Sequence, residues 1–249
     1  MLIKAAINGG RTKTEHAALP VSPEEQAAAV TECVKAGAQT IHLHVRSAVG
    51  NESLYAEDVS RTLSAVRSAS SSAQIGVSTG AWILPDPASR LQAVAGWEAL
   101  PDFASVNFSE VGSVELAQLL LSRGVGVEAG LCDADAGKAF LKSGLLADCI
   151  RVLLEPQEQQ IEGALQNLKQ IERVLESATA ARALPLVLHG TEATVWPMMT
   201  QAMVRGYGAR IGFEDTLVLP NGKVAKSNGE LVREAVQRIR GFGLEISDY

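Results

Sequence analysis

The chain is poor in the residues that mark several common protein classes. It has three cysteines in 249 residues. Cys33, Cys132 and Cys149 are odd in number and none sits in a CxxC pair, which argues against a disulfide framework and fits a reducing cytoplasm, each thiol acting as a small apolar filler. Lys and Arg total 22 against 28 Asp and Glu, a formal net charge of −6. There is no basic field for nucleic acid, and an anionic substrate has to be met by individual arginines. No apolar run approaches the ~20 residues of a membrane span. Met1-Leu2-Ile3-Lys4-Ala5 leads straight into a strand-like run, without the basic-then-apolar layout of a signal peptide. The expectation is a cytoplasmic protein, bound to neither membrane nor nucleic acid. No linker, repeat or low-complexity tract divides the chain, and no GxGxxG follows its first strand-like run. Histidine is also scarce, at four residues.

What is present is an alternation. Short apolar runs occur at Ile3–Asn8, Thr40–Val45, Gln74–Ser78, Phe103–Asn107, Val125–Ala129, Cys149–Leu154, Leu186–His189 and Ala209–Phe213. They are apolar nearly throughout, as parallel strands covered on both faces are. Helical patterns lie between them. Ser22-Pro23-Glu24-Glu25 and Ser227-Asn228-Gly229-Glu230 read as capping boxes, Asp86-Pro87 opens another helix, and Gln159–Glu176 carries an apolar stripe through Ile161, Leu165, Leu168, Ile171 and Leu175. Eight β-then-α units over residues 1–249 predict one α/β domain, a (β/α)8 TIM barrel. A doubly wound open sheet is the structural alternative.

His42 and His44 stand one residue apart in Thr40-Ile41-His42-Leu43-His44-Val45-Arg46. On a strand, side chains alternate faces, so both imidazoles point the same way, their Cα atoms about 7 Å apart, and can converge on one metal ion. The bland alternative is a polar pair on a solvated face. Function in such a barrel gathers at the C-terminal strand ends. Polar residues fall there: Asn8-Gly9-Gly10-Arg11, Ser78-Thr79-Gly80, Asn107, Glu128, Glu155, His189, and the run from Arg210 to Thr216. Glu214 is the natural third ligand, because strands one and eight close the barrel and strand two lies one further along; the bland alternative for Glu214-Asp215 is an N-cap for the following segment. His189 is open between a fourth ligand, a substrate donor and a buried structural histidine. Arg46 and Arg210 offer guanidinium forks to a carboxylate, Arg210 with a structural pair to Glu128 or Glu155 as alternative. Ser78, Thr79 and Glu128 read as further polar contacts at the mouth.

With these segments in order, the chain resembles the β-keto acid cleavage enzyme family. The resemblance rests on Asn8-Gly9-Gly10, Val21-Ser22-Pro23-Glu24-Glu25, Ile41-His42-Leu43-His44-Val45-Arg46, Ser78-Thr79-Gly80, Ala104-Ser105-Val106-Asn107-Phe108, Arg210-Ile211-Gly212-Phe213-Glu214-Asp215-Thr216 and Ser227-Asn228-Gly229-Glu230-Leu231-Val232. It implies a zinc-binding TIM barrel that exchanges a β-keto acid with acetyl-CoA to give acetoacetate and a new acyl-CoA, in a homo-oligomer. Carried onto this sequence, it implies His42, His44 and Glu214 as metal ligands, Asp215 and Arg210 as the pair that moves the proton and orients the substrate, and Ser78 and Asn107 as substrate contacts. Arg11 stands where the family often has an acidic residue, and the loop after strand four is short.

The chemistry expected from that set is a Claisen/retro-Claisen exchange. Zn2+ or another divalent metal acts as Lewis acid, Asp215 as base, and donors near Ser78 and Thr79 meet the oxyanion. Arg11, Arg46 and Lys13 are the cations available for CoA phosphates. A metal-dependent hydrolase, a CoA-independent aldolase and a non-catalytic binding barrel are the rivals. Trp82, Trp196 and Met198 are open between pocket and core.

Overall fold

Among the residues described by the computed structural model (1–70, 72–178 and 184–246), parallel strands close into a barrel in chain order. They are β1 (Ile3–Ala6), β2 (Thr40–Leu43), β3 (Gln74–Ser78), β4 (Phe103–Asn107), β5 (Gly126–Leu131), β6 (Arg151–Leu154), β7 (Leu186–Leu188) and β8 (Gly208–Ile211). The helices are α1 (Pro23–Ala36), α2 (Ala56–Ala69), α3 (Pro87–Ala95), α4 (Ser113–Ser122), α5 (Ala134–Ser143), α6 (Ile161–Glu176), α7 (Val195–Arg205) and α8 (Asn228–Gly241). The barrel closes because β1 pairs with both β2 and β8, Lys4 facing Thr40 on one side and Arg210 on the other. The open-sheet alternative is therefore excluded.

Local signals start and stop the helices. Ser22 accepts from the Glu25 N–H while the Glu25 carboxylate accepts from the Ser22 N–H, a reciprocated capping box worth about 1 kcal/mol. Gly37, at φ 113°, ends α1 in the left-handed region. At α8 the box is incomplete: Ser227 accepts from the Glu230 N–H, but the Glu230 carboxylate reaches one residue further back, to the Lys226 N–H at 2.5 Å. The apolar core lies between strands and helices; Ile41, Leu43 and Val45 point into it, as the alternation around the histidines requires. Met198 is part of this core. Trp196 donates to the Val218 carbonyl at 3.0 Å.

Inside the barrel the filling is polar. Glu128 is fully buried and bridges Lys4 and Arg151 through its two oxygens. Arg151 also donates to Gln74 and Thr40 at 3.2 Å each and lies over the Phe103 ring, 4.2 Å from its centroid. This corrects the expectation that Glu128 stands at the mouth. β5 runs on to Leu131, so Glu128 sits mid-strand, paired with Arg151 at the start of β6. Burial holds Lys4 down at about 8, against the pull of Glu128. Burial works to raise Glu128, but the two cations hold its carboxyl well below the usual range.

Candidate metal centre and active site

Two strand ends and one turn bring the candidate metal donors together. His42 lies on β2 and His44 just beyond it; both are about 2% exposed. Glu214 follows β8 in the turn that begins at Gly212. Its N–H donates to the Ala6 carbonyl at 3.1 Å, which lays the turn along β1. The backbone approach is close, and a Cβ on Gly212 would overlap the Ala6 backbone. Gly9, at φ 56°, leaves room for Glu214 in the same way: a Cβ there would stand 2.5 Å from the Glu214 Cγ.

Glu214 divides its two oxygens. Oε1 accepts from Arg210, and Oε2 faces the histidines, 3.5 Å from His42 Nε2 and 3.4 Å from His44 Nε2. Tetrahedral bonds of about 2.0–2.1 Å put neighbouring donors about 3.3 Å apart, so these spacings match the edges of such a cage. Glu214 Oε2 and His44 Nε2 are buried without a hydrogen-bond partner in the described structure. Unpartnered buried donors and acceptors are costly, and a divalent ion would satisfy both. His42, His44 and Glu214 form the candidate metal group found among the described residues.

The protonation states fit that use. His44 Nδ1 lies 2.5 Å from Glu52 Oε1. A carboxylate can only accept, so Nδ1 carries the hydrogen and Nε2 the lone pair. Burial lowers His44, but Glu214 and Glu52 outweigh it and the net shift is upward. Burial, with Lys4 and Arg210 nearby, holds His42 well below the ordinary range, in its neutral form. Burial would raise Glu214, yet Arg210 above all holds it well below the usual carboxylate range.

Beside this cage is a cleft of about 330 Å³, lined by Trp82, Asn107, Glu155, His189, Arg210, Glu214 and Asp215 among others. Arg210 links its two sides. It donates to Glu214 and, through Nη2 at 2.8 Å and Nε at 3.2 and 3.3 Å, to both oxygens of Asp215. His189 Nδ1 lies 3.3 Å from Asp215 Oδ1, and His189 Nε2 lies 3.6 Å from Glu155 Oε2. His189 thus joins Asp215 and Glu155 and stands outside the metal group. Burial would raise Asp215; Arg210 and His189 hold it low.

Other expected contacts fall elsewhere. Arg46 is spent on backbone carbonyls, those of Gly9, Arg11 (3.0 Å) and Gly50 (3.2 Å), because it pins the loop after β1 to the one after β2. Thr79 donates its hydroxyl to the Ser105 carbonyl at 2.6 Å, tying β3 to β4, and Ser78 Oγ accepts from the Gly80 N–H at 3.4 Å. None of Arg46, Thr79, Ser78 and Glu128 lines the cleft, whereas Asn107 does, its amide donating to Glu110 at 2.9 Å. Arg11 pairs with Glu15 and Glu192, and Lys13 with Glu25. Glu52 escaped the sequence reading. Its role depends on the antiparallel Arg46–Glu52 bridge, which turns the short loop after β2 back over His44. Trp82 resolves to the cleft, donating to Glu52 Oε1 at 3.1 Å and stacking on His44 with ring centres 6.0 Å apart.

A mouth of this kind on a (β/α)8 frame places the chain among the TIM-barrel enzymes. Within that class, the chain belongs to the β-keto acid cleavage enzyme family, whose model, described as beta-keto acid cleavage enzyme, matches residues 1–249. It is 30% identical over 274 aligned positions to a 3-keto-5-aminohexanoate cleavage enzyme of Fusobacterium nucleatum subsp. nucleatum, covering 99% of this chain and 94% of that one. It is 26% identical over 265 positions to the enzyme of that name from Acetoanaerobium sticklandii, again covering 99% and 94%. Among solved structures, apo ObcA superposes with a TM-score of 0.73 at 16% identity, and a ternary complex of ObcA with a C4-CoA adduct and oxalate with 0.72 at 16%. Each covers 92% of this chain, which spans 63% and 65% of those ObcA chains; at this identity the likeness is one of fold. No helix among the described residues is long and apolar enough to cross a membrane.

Proposed function

We propose that this chain is a divalent-metal-dependent, most simply zinc-dependent, β-keto acid cleavage enzyme. It condenses a β-keto acid with acetyl-CoA and releases acetoacetate and a new acyl-CoA. The observation that carries the reading is the cage of His42 Nε2, His44 Nε2 and Glu214 Oε2, joined through one guanidinium to Asp215 in the same cleft. A divalent ion held there would supply Lewis acidity toward the keto oxygen, which acidifies the carbon between the two carbonyls.

The chain's own residues do the rest. Arg210 keeps Asp215 and Glu214 ionised and fixed, so the charge that faces the substrate is set before it enters. The proton leaving the substrate carbon falls to the Asp215–His189 pair beside Arg210. Asn107 contacts the substrate from the β4 side. The cleft suits a small keto acid, and the longer CoA extends over the rim. A homo-oligomeric, cytoplasmic enzyme completes this reading, as the family resemblance implies.

The test is metal analysis of the purified protein, followed by an acetyl-CoA-dependent assay across a panel of β-keto acids. His42→Ala and Glu214→Ala are each expected to lose bound metal and turnover together. Full activity in either variant after chelation would remove the metal from the reaction. Turnover that ignores acetyl-CoA would instead establish the aldolase alternative.

A further inference from the structure

We infer a second cation site in this chain, for a hard divalent ion of the calcium type, between the start of α5 and the first turns of α6. It is separate from the cage of His42, His44 and Glu214 and does not depend on the cleavage reading.

A pocket of about 310 Å³ opens there, lined by Asp133, Glu158, Gly163, Gln166, Asn167 and Gln170. All of these except Gly163 carry a side-chain oxygen, and none is basic. The four α6 residues fall at i, i+3, i+4 and i+7, so they share one side of the helix. Asp133 comes from across the pocket as the N-cap of α5. Its Oδ1 accepts from the Ala136 N–H at 2.7 Å, which leaves Oδ2 for a ligand. Gly163 keeps the space open; a Cβ there would already stand 3.4 Å from the Glu158 Cβ and Cγ.

Two acids at helix starts are by themselves no site, because the helix dipoles favour them there. The residue that asks for a ligand is Asn167. It is a polar side chain among the buried residues of α6, 7% exposed. Its Nδ2 donates to the Cys132 carbonyl at 2.8 Å and to Glu158 Oε1 at 2.9 Å. Both of those oxygens only accept, so the amide cannot be turned round, and Oδ1 is the atom that Asn167 brings to the pocket it lines. Asn167 Oδ1 and Glu158 Oε2 are both buried without a hydrogen-bond partner in the described structure. Two acceptors cannot satisfy each other, and leaving them unpaired is costly. A cation satisfies both. Neither Asp133 nor Glu158 is in a salt bridge among the described residues, and Lys138, which feels the charge of Asp133, is paired with Asp135.

The donor set selects the ion. Two carboxylates and three amide oxygens on rotatable side chains suit the loose shell of about six to eight oxygens that Ca2+ takes. The tight octahedron of Mg2+ is a poorer match, and Zn2+ favours nitrogen and sulfur. Cys132, Glu155 and Gln157 line the cleft from the same two loops, so an ion here ties the loop after β5 to the loop after β6 from behind.

The test is calorimetric titration of the protein, with zinc added, by CaCl2, and by MgCl2 and NaCl in separate runs; Tm is followed by circular dichroism at each concentration. One calcium ion per chain is expected, with a Kd on the order of 10⁻⁴–10⁻³ M, weaker magnesium binding, and a Tm that climbs with calcium. Glu158→Gln keeps an oxygen for Asn167, and Asp133→Asn keeps the N-cap. Each removes one charge and is expected to weaken calcium binding about tenfold or more and to flatten the rise in Tm. His42→Ala is expected to bind calcium as wild type does. No calcium heat up to about 10 mM, well above that range, overturns the site. So does wild-type affinity in both carboxylate variants. Calcium binding lost in His42→Ala would put the ion in the first cage and overturn the second. Magnesium or sodium held more tightly than calcium overturns the choice of ion. Each of these results leaves the cleavage reading standing.

Discussion

Glu128→Gln separates a structural from a substrate-binding role most sharply. The native carboxylate is 0% exposed and joins Lys4 and Arg151, each itself fully buried. The amide keeps the shape and an accepting oxygen but leaves two buried cations without their counter-charge. Removing one partner of a buried ionic set costs about 3–5 kcal/mol. For a domain of this length each kcal/mol moves Tm by about 2–4 °C, so the expected fall is about 6–20 °C. The pH dependence carries a sign. Glu128 is depressed in the fold, so its stabilisation is complete above the unfolded value of about 4.5 and is lost as pH falls toward its folded value. Lys4 is also depressed, to about 8. Above that pH the unfolded chain holds the extra proton, and wild-type stability rises toward 10.5. Without Glu128, Lys4 falls further and its rise begins earlier. The gap between wild type and variant therefore opens as pH climbs through the carboxylate range and narrows again toward pH 8. Thermal and urea unfolding by circular dichroism between pH 4 and 9 reads both effects. A loss under about 1 kcal/mol at pH 6, or a raised KM at unchanged Tm, would refute the burial argument and put Glu128 back at the mouth.

Glu52→Ala is expected to weaken metal binding 10–100-fold, because a histidine ligand without its orienting carboxylate loses both tautomer and direction. Competition against a chromophoric chelator measures it, and unchanged affinity would show that His44 needs no partner. The same variant frees the Trp82 indole from Glu52 Oε1, so its fluorescence should shift even in metal-free protein. Gly212→Ala is expected to yield little folded protein, since its Cβ would meet the Ala6 backbone at the β1–β8 seam; a soluble variant with native Tm would show that the seam can give.

What the sequence by itself determined is everything carried by short-range periodicity and capping. The alternation of apolar runs with capped helices was enough for the barrel, and the bounds of β3 and β4 agree with the runs at Gln74–Ser78 and Phe103–Asn107. A period of two put His42 and His44 on one face without reference to any other strand. Only the tertiary structure decided which polar residues share the mouth. Glu128 and Glu155 read alike as acidic residues on or after apolar strands. Two more residues of β5 drop Glu128 to the floor, where Lys4 and Arg151 neutralise it, while Glu155 reaches the cleft beside His189. Arg46 looked free to meet a substrate until the loop after β2 folded back and offered it carbonyls. The division has a physical reason. Helix caps and strand faces are set by neighbours a few residues away, whereas an ion's cage or a buried charge's partner is chosen by closing the barrel, which brings β1, β2 and β8 side by side from opposite ends of the chain.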